Sequence, residues 1–203
     1  MTADARTTNG RRQLIDAAIA SIREVGFYRS STNEIARRAN VTWGSLQYHF
    51  GTREKLMLAV LEELDRRFVS HIEAATIEGD TAEARIESLY EVIGRRYEDP
   101  EWLVRFQILL DLQYDPDTSA EAMAEVARNA KAAEASIRRL LRETIGPRAP
   151  RGEYTALLHA IRGFALSQQV SRAIPIPGTG RAVRDDEVRR FLHRLAIAED
   201  ADL

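Results

Sequence analysis

Residues 32–50 read TNEIARRANVTWGSLQYHF, and this stretch decides the fold. Ala36 is a small residue at the point where two steeply crossing helices would touch. Asn40 stands where the turn between them needs a left-handed backbone, which asparagine tolerates better than most residues. The spacing therefore predicts a helix-turn-helix from about Ser31 to Phe50. Its small apolar core would consist of Ile35, Ala39, Val41 and Leu46.

The second of these helices presents a polar and aromatic face. On a helical wheel Leu46 and Phe50 point inward, and the outward face with its two flanks carries Gly44, Ser45, Tyr48, Gln47 and His49. Such side chains suit the base edges of the DNA major groove, where glutamine pairs well with adenine. Trp43 lies near the inward side, so base contact and packing at the helix edge are alternatives.

Charge separates the beginning of the chain from the rest. Residues 1–56 carry nine Arg or Lys against five Asp or Glu, a balance of +4, whereas the whole chain has a formal charge of −2. The remaining residues therefore balance at −6. This asymmetry indicates that the N-terminal part meets a polyanion. Arg37 and Arg38 are either solvated surface residues or phosphate contacts.

The rest of the chain predicts helices, because apolar residues recur at spacings of three and four and no strict alternation occurs. The fold class is all-α, with about nine helices. Predicted N-caps or first-turn signals are Thr42, Thr52, Asp80, Asp99-Pro100 and Thr118. A single long helix is expected from about Thr118 to Ile145. The predicted helices span about 11–25, 32–39, 43–50, from 52 onward, 80–97, 99–114, 118–145, 153–173 and 185–198.

Several classes of protein are disfavoured by composition. The chain has no cysteine, which removes disulfides and thiolate chemistry, and its four histidines show no metal-ligand spacing. No serine lies in a nucleophile elbow, and Gly178-Thr179-Gly180 lacks the strand and helix of a phosphate loop. We expect neither catalysis nor a metal or cofactor. No apolar run is long enough to cross a bilayer and no secretory signal is present, so a cytoplasmic protein is expected.

The segment from Arg11 to Leu61 resembles the N-terminal domain of the TetR family of bacterial transcriptional regulators. The resemblance rests on Gly26-Phe27, Ser31-Thr32, Ile35-Ala36, Val41-Thr42, Gly44-Ser45-Leu46, His49-Phe50 and Thr52-Arg53-Glu54-Lys55-Leu56. It implies a three-helix helix-turn-helix domain followed by a larger helical domain for effector binding and dimerisation. The expected boundaries are a flexible tail at 1–10, the DNA-binding domain at 11–56 and the second domain at 57–203.

The resemblance also implies roles for individual residues. Trp43, Gly44 and Gln47 match positions that face base edges, and Gln47 replaces the commoner tyrosine, which should alter the sequence read. Asn33 matches base or phosphate contacts, and His49 is either a phosphate contact or a local cap. The complete predicted DNA-binding set is Thr32, Asn33, Thr42, Trp43, Gly44, Ser45, Gln47, Tyr48, His49, Arg53 and Lys55.

The resemblance further implies a ligand-responsive repressor that binds a palindromic operator as a homodimer, with recognition helices about 34–36 Å apart. The effector would be apolar or amphipathic. It would contact Tyr97, Trp102, Phe106, Gln107, Leu109 and Arg162. Trp102, Phe106 and Leu109 are alternatively core residues. The dimer interface would comprise Leu157, Leu158, Ile161, Phe164, Ala165, Phe191, Leu192 and Leu195, which are alternatively intramolecular core.

Two other functions fit the same helices. One is an activator of the same fold, and the other is a helical protein-interaction module without a DNA role, which would show no salt-dependent DNA binding. The effector, the operator, the regulated genes and the number of dimers per operator are not encoded in any pattern of the sequence.

Overall fold

The computed structural model describes the backbone of residues 3–173 and isolated positions at 187, 190 and 194, and it describes side chains from Asn9 onward except at 132 and 151. Every regular element in this part of the chain is helical. A π-helical segment, Tyr90–Gly94, connects α5 to α6. The helices are α1 Ala3–Val25, α2 Thr32–Arg38, α3 Trp43–Phe50, α4 Arg53–Ala74, α5 Ala82–Leu89, α6 Arg95–Tyr97, α7 Pro100–Tyr114, α8 Ala120–Ala132, α9 Glu134–Ile145 and α10 Arg151–Ala173.

The all-helical prediction is confirmed, with four local corrections. Helix α1 begins at Ala3, so the expected tail is helical from that residue onward. The Thr81 and Ser119 hydroxyls accept from the backbone N–H groups of Ala84 and Ala122, which makes these residues the caps instead of their neighbours Asp80 and Thr118. The expected long helix at 118–145 is interrupted at Ala133, so α8 and α9 are separate. The expected helix at 185–198 lies outside the described residues.

The chain divides into two compact units. The first comprises residues up to Arg67 together with Pro100–Ala132, and the second comprises Phe68–Asp99 together with residues from Ala133 onward. The first unit therefore contains α7 and α8, which the sequence boundary after Leu56 had assigned to the second domain. The reason is that the buried side chains of α7 and α8 lie in the same hydrophobic core as those of α1 to α4. The residues of α7 and α8 in this core are Val104, Ile108, Leu112 and Ala122.

Polar contacts fasten α7 within the first unit. Arg105 Nε donates to Asp65 Oδ1 of α4 at 2.6 Å, and both side chains are more than four-fifths buried. Arg67 donates to Asp16 of α1 at 2.6 Å and to Glu101 of α7 at 2.9 Å. Either member of the largely buried Arg105–Asp65 pair would be costly to leave unpaired, which favours one arrangement of the helices over others.

The second unit packs α10 against α9, α6 and the π-helical segment. Gly94 permits this segment, because a Cβ there would lie 2.7 Å from the Tyr90 ring. Gln169 Nε2 donates to the backbone carbonyls of Tyr97 and Asp99 at 2.7 and 2.9 Å. These bonds satisfy carbonyl groups at the end of α6, where the helix leaves them without partners.

The turn between α2 and α3 follows the sequence prediction. Asn40 has φ 53°, a left-handed conformation, and its N–H donates to the Arg37 carbonyl at 3.2 Å. The Val41 N–H donates to the Ala36 carbonyl at 3.0 Å, which completes a Schellman motif. The direction of α3 relative to α2 is therefore fixed by one residue in a backbone region that few side chains adopt.

We predict that Asn40→Ala lowers the free energy of unfolding by about 1 kcal/mol. The left-handed backbone is unfavourable for alanine, which has no polar side chain that can form a local hydrogen bond. Asn40→Gly should change it by no more than about 0.5 kcal/mol. Urea unfolding followed by circular dichroism measures both. Asn33→Ala, at an exposed helical position, is the matched control, and a loss there equal to that of Asn40→Ala would contradict the assigned role.

Candidate nucleic-acid interface

Two side-chain caps define the helices of the motif. The Ser31 hydroxyl accepts from the Glu34 N–H at 3.2 Å at the start of α2, and the Thr42 hydroxyl accepts from the Ser45 N–H at 3.2 Å at the start of α3. Both caps use an oxygen to satisfy an N–H that the helix leaves unpaired. Thr42 was predicted as the cap of α3, and this prediction is confirmed.

The buried side of α3 is the one predicted from the helical wheel, whereas Ser45, predicted to point outward, is half-buried. Leu46 and Phe50 are buried at 1% and 6% exposure. The opposite side exposes a continuous surface formed by Trp43, Gly44, Gln47 and Tyr48. Trp43 is 54% exposed and Tyr48 is 78% exposed, so the indole belongs to the outward surface and not to the core. We call these four residues the α3 face.

Ser45 and His49 are half-buried beside the α3 face. A Cβ at Gly10 would lie 3.1 Å from His49 Nε2, so α1 approaches this imidazole closely. The Tyr48 and His49 rings meet edge to face, with centroids 5.4 Å apart. Packing from two sides thus fixes the His49 ring at the margin of the exposed surface.

Arg53 differs from its expected role as a phosphate contact. Its guanidinium donates to the Ser30 carbonyl at 2.5 Å and to the Phe27 carbonyl at 3.1 Å, and it lies 4.5 Å from the centroid of the Phe27 ring. Burial lowers the pKa of the guanidinium. Both carbonyls belong to the loop between α1 and α2. Arg53 therefore binds the protein's own backbone.

Lys55 has the surroundings expected of a phosphate contact. Its side chain is exposed, and only its backbone N–H is used, donating to the Thr52 hydroxyl at 3.1 Å. Thr52 is thereby confirmed as the cap of α4. Of the two basic residues predicted at this position, the structure leaves the lysine exposed on the surface and commits the arginine to the loop.

Arg37 and Arg38 form ion pairs on α2. Arg37 donates twice to Glu34 at 2.8 Å, and Arg38 donates to Glu34 at 2.6 Å and to Glu24 at 2.5 Å. Hydrogen bonds from both arginines lower the pKa of Glu34 to about 2. These pairs favour the interpretation of both residues as members of surface ion pairs over phosphate contacts. They also reduce the positive charge on the surface of the N-terminal part.

A second side chain secures the loop between α1 and α2. Gln107 of α7 was predicted as an effector contact. Its Oε1 accepts a hydrogen bond from the Phe27 N–H at 3.1 Å. The Ser30 hydroxyl donates to the Gly26 carbonyl at 2.9 Å, and the Ser21 and Ser30 hydroxyls are 2.9 Å apart. Sequence reasoning missed this set because its partners come from α1, α4 and α7. The only local signal was arginine directly after the cap Thr52.

The predicted effector residues do not form one group within a unit. Tyr97 is fully buried in the second unit, where Arg162 Nε donates to its hydroxyl at 2.6 Å. Those two predicted residues do come together. The other four lie on α7 in the first unit, where Phe106 is 44% exposed: Trp102, Phe106, Gln107 and Leu109.

The predicted dimer residues also separate. Leu157, Ile161 and Ala165 are buried within their own chain at 6%, 0% and 0% exposure, so they belong to the intramolecular core, the alternative that the sequence left open. Leu158 and Phe164 are partly buried. The remaining three lie outside the described residues: Phe191, Leu192 and Leu195.

Comparison with known proteins identifies the motif. The family model of the bacterial regulatory proteins of the tetR family matches residues 14–60. The A-factor receptor protein of Streptomyces griseus is 36% identical over 63 residues, which are 31% of this chain and 23% of the receptor. The chain thus spans about a quarter of that relative's length. The segment 14–60 is thus similar to the bacterial regulatory proteins of the tetR family.

Two solved structures share the fold of this chain. A protein from Mesorhizobium loti MAFF303099 assigned to the TetR family superposes with a TM-score of 0.71 at 19% identity, covering 100% of this chain and 98% of that one. The multidrug binding protein EbrR, solved with ethidium, gives a TM-score of 0.60 at 24% identity over 92% and 98% of the two chains. At these identities the likeness concerns the fold.

The described residues contain neither a membrane-spanning helix nor a cluster of metal ligands. Among the described residues, none of the helices combines the length and the apolar character that crossing a membrane requires. In the same part of the chain, no three histidine, aspartate or glutamate side chains come together in a way that could hold a metal ion.

We predict that Arg53→Met lowers the free energy of unfolding by about 2 kcal/mol or more. Methionine keeps much of the aliphatic stem but leaves two loop carbonyls without their charged donor. Lys55→Met, at an exposed position two residues away, should change the value by less than about 0.5 kcal/mol. Urea titration measures both variants, and equal losses would show that Arg53 does not stabilise the loop.

Proposed function

We propose that the protein is a DNA-binding transcriptional regulator whose α3 face reads base edges in the major groove. The single observation that carries the proposal is the α3 face itself, which is exposed while Leu46 and Phe50 of the same helix are buried. Eight residues of α-helix are about 12 Å long, a length that the major groove accommodates. Large exposed aromatic rings beside a glutamine are suited to a nucleic-acid surface.

The four residues of the α3 face would divide the work of recognition. Gln47 can donate to and accept from adenine in a bidentate pair, and Gly44 allows the backbone to approach the bases. Trp43 and Tyr48 provide apolar surface for thymine methyl groups or deoxyribose. The side chains at the margin would contact the phosphate backbone, and these are Thr32, Asn33, Thr42, Ser45, His49 and Lys55.

Gln47→Ala should weaken binding to the preferred DNA sequence by about 1–3 kcal/mol and binding to random duplex by much less, because only base contacts distinguish sequences. The preferred sequence is first selected from a randomised duplex pool with the wild-type protein. Fluorescence anisotropy at fixed salt then gives both dissociation constants.

The matched control is Gln113→Ala, an exposed glutamine of α7 away from the α3 face. It should bind both duplexes as the wild type does. Equal losses on specific and random DNA for Gln47→Ala would remove its role in reading bases. A wild-type protein without salt-dependent binding to any duplex would favour the protein-interaction module instead.

We further propose that the protein acts as a homodimer through α10. The described part of this helix exposes a row in which three small residues, Ala156, Gly163 and Ser167, permit close approach of a second helix beside His159. This row replaces the buried Leu157, Ile161 and Ala165 of the sequence-based interface. Two copies related by a two-fold axis would place two α3 helices on one palindromic site.

Ala156→Glu should convert the dimer to a monomer at micromolar concentration, because each interface would receive two desolvated carboxylates. Ala130→Glu, on an exposed position of α8, should leave the sedimentation coefficient unchanged. Sedimentation velocity of the full chain tests both. A wild-type monomer, or a dimer that is indifferent to Ala156→Glu, would contradict the proposed interface.

The proposed regulator is a repressor released by a small molecule in the second unit. The contact between the partly buried Arg162 and the buried Tyr97 supports this, since a charged donor beside an aromatic ring gives a ligand both polar and apolar contacts. The relatives named a receptor and a multidrug binding protein support the same class of function. Release requires that the ligand bind the free form more tightly than the DNA-bound form.

A further inference from the structure

The first unit contains a cleft that the α3 face does not include. It has a volume of about 430 Å³ and lies between the loop joining α1 to α2 and the C-terminal end of α7. Volumes of this size are typical of small-molecule sites. Its lining combines aromatic rings with carboxylates, and the residues are Phe27, Tyr28, Gln107, Leu110, Asp111, Tyr114, Asp115 and Pro116.

The aromatic side of the cleft is unusually exposed. Tyr28 is 92% exposed and Tyr114 is 79% exposed, and Leu110 between the carboxylates and the rings is 43% exposed. The Phe27 ring is buried, and the Arg53 guanidinium lies over it. The tyrosine rings are therefore available to a ligand, whereas Phe27 forms part of the cleft's base.

The acidic side has no direct ion pair among the described residues, although the charge of Arg53 acts on Asp111 from a distance. Asp111 is half-buried, and its carboxylate has no hydrogen bond or ion pair among the residues that the structure describes. Burial raises its pKa. The cation that influences it, Arg53, is committed to the Phe27 and Ser30 carbonyls. Residues 111–117 contain three aspartates and no basic residue, so the local charge favours a cationic ligand.

We propose that this cleft binds a small organic cation of the quaternary ammonium class, with Asp111 as its counter-ion and the Tyr28 and Tyr114 rings against the charged group. Aromatic faces attract such cations because their quadrupole is negative. An anion would meet two carboxylates, and a neutral molecule would leave Asp111 uncompensated. A divalent metal would find too few oxygen ligands beside three aromatic rings.

The location gives the cleft a consequence for regulation. Tyr28 lies in the loop that ends at Ser31, the cap of α2, and Gln107 contacts the same loop from α7. A cation bound here would act on the unit that carries α3, apart from the effector site proposed for the second unit. That consequence rests on the proposed function, whereas binding of the cation does not.

Isothermal titration calorimetry of the full chain without DNA tests the site, with benzyltrimethylammonium chloride as the probe at constant ionic strength. Its neutral analogue is 2,2-dimethyl-3-phenylpropan-1-ol. The wild type should bind one cation per chain in this cleft, about fivefold or more tightly than the neutral analogue. Asp111→Asn and Tyr114→Ala should each weaken cation binding by about fivefold or more.

Asp117→Asn is the matched control, because it removes the same charge from an exposed aspartate outside the lining. It should bind the cation within about twofold of the wild type, and thermal unfolding should show that each variant folds. Absence of saturable binding, equal affinity for the neutral analogue, or equal effects of Asp111→Asn and Asp117→Asn would overturn the site.

The variants also separate this proposal from the DNA-binding one. Asp111→Asn should keep the wild-type affinity for the selected duplex in the absence of the cation. Loss of cation binding with DNA binding intact supports the cleft. If the wild type binds the cation as described but no DNA, the site stands and the proposed function fails.

Discussion

The arrangement of the helix-turn-helix depends on how the loop between α1 and α2 satisfies its backbone. Three of its polar groups, the Phe27 N–H and the carbonyls of Phe27 and Ser30, receive partners from Gln107 and Arg53. A part-buried backbone group without a partner costs free energy comparable to a lost hydrogen bond. Since Ser31 follows immediately as the cap of α2, the position of α2 and then of α3 depends on these long-range bonds.

Local signals explain why the motif itself could be predicted. The Thr42 and Thr52 caps, the left-handed Asn40 and the inward Leu46 and Phe50 all act within a few residues along the chain. Where two adjacent residues could both cap, the pattern could not distinguish them, as at Asp80 and Thr81. A polar oxygen at either position fits the spacing, and only the direction of the incoming chain selects one.

Other features could not be read from periodicity because they depend on distant partners. A helical stripe shows that Leu157 and Ile161 are buried, but it cannot show whether their own chain or a second copy covers them. The same limit applies to α7, whose apolar side was compatible with core and with a ligand wall. Val104 and Ile108 of α7 lie in the core of the first unit, whereas Phe106 and Leu110 on the same helix are exposed.

The net charge of the N-terminal part differs from the charge that its surface leaves unpaired. The balance of +4 correctly marked this region, yet Arg37 and Arg38 are paired with carboxylates, and Arg53 is turned to the backbone. Ion pairs on the surface attract phosphate less than free cations do, so Lys55 carries more of the proposed backbone contact than the count suggests. Specificity would then rest chiefly on the α3 face.

Membership of α7 in the first unit changes how regulation can be pictured. Gln107 bonds the loop before α2, and Arg105 pairs with Asp65 of α4, so α7 contacts the DNA-binding motif's supports at two places. A displacement of α7 would have to break one of these bonds or carry the loop with it. Because the caps and the Asn40 turn transmit the loop's position to α3, α7 is the element through which a ligand of the first unit would alter the proposed reading of DNA.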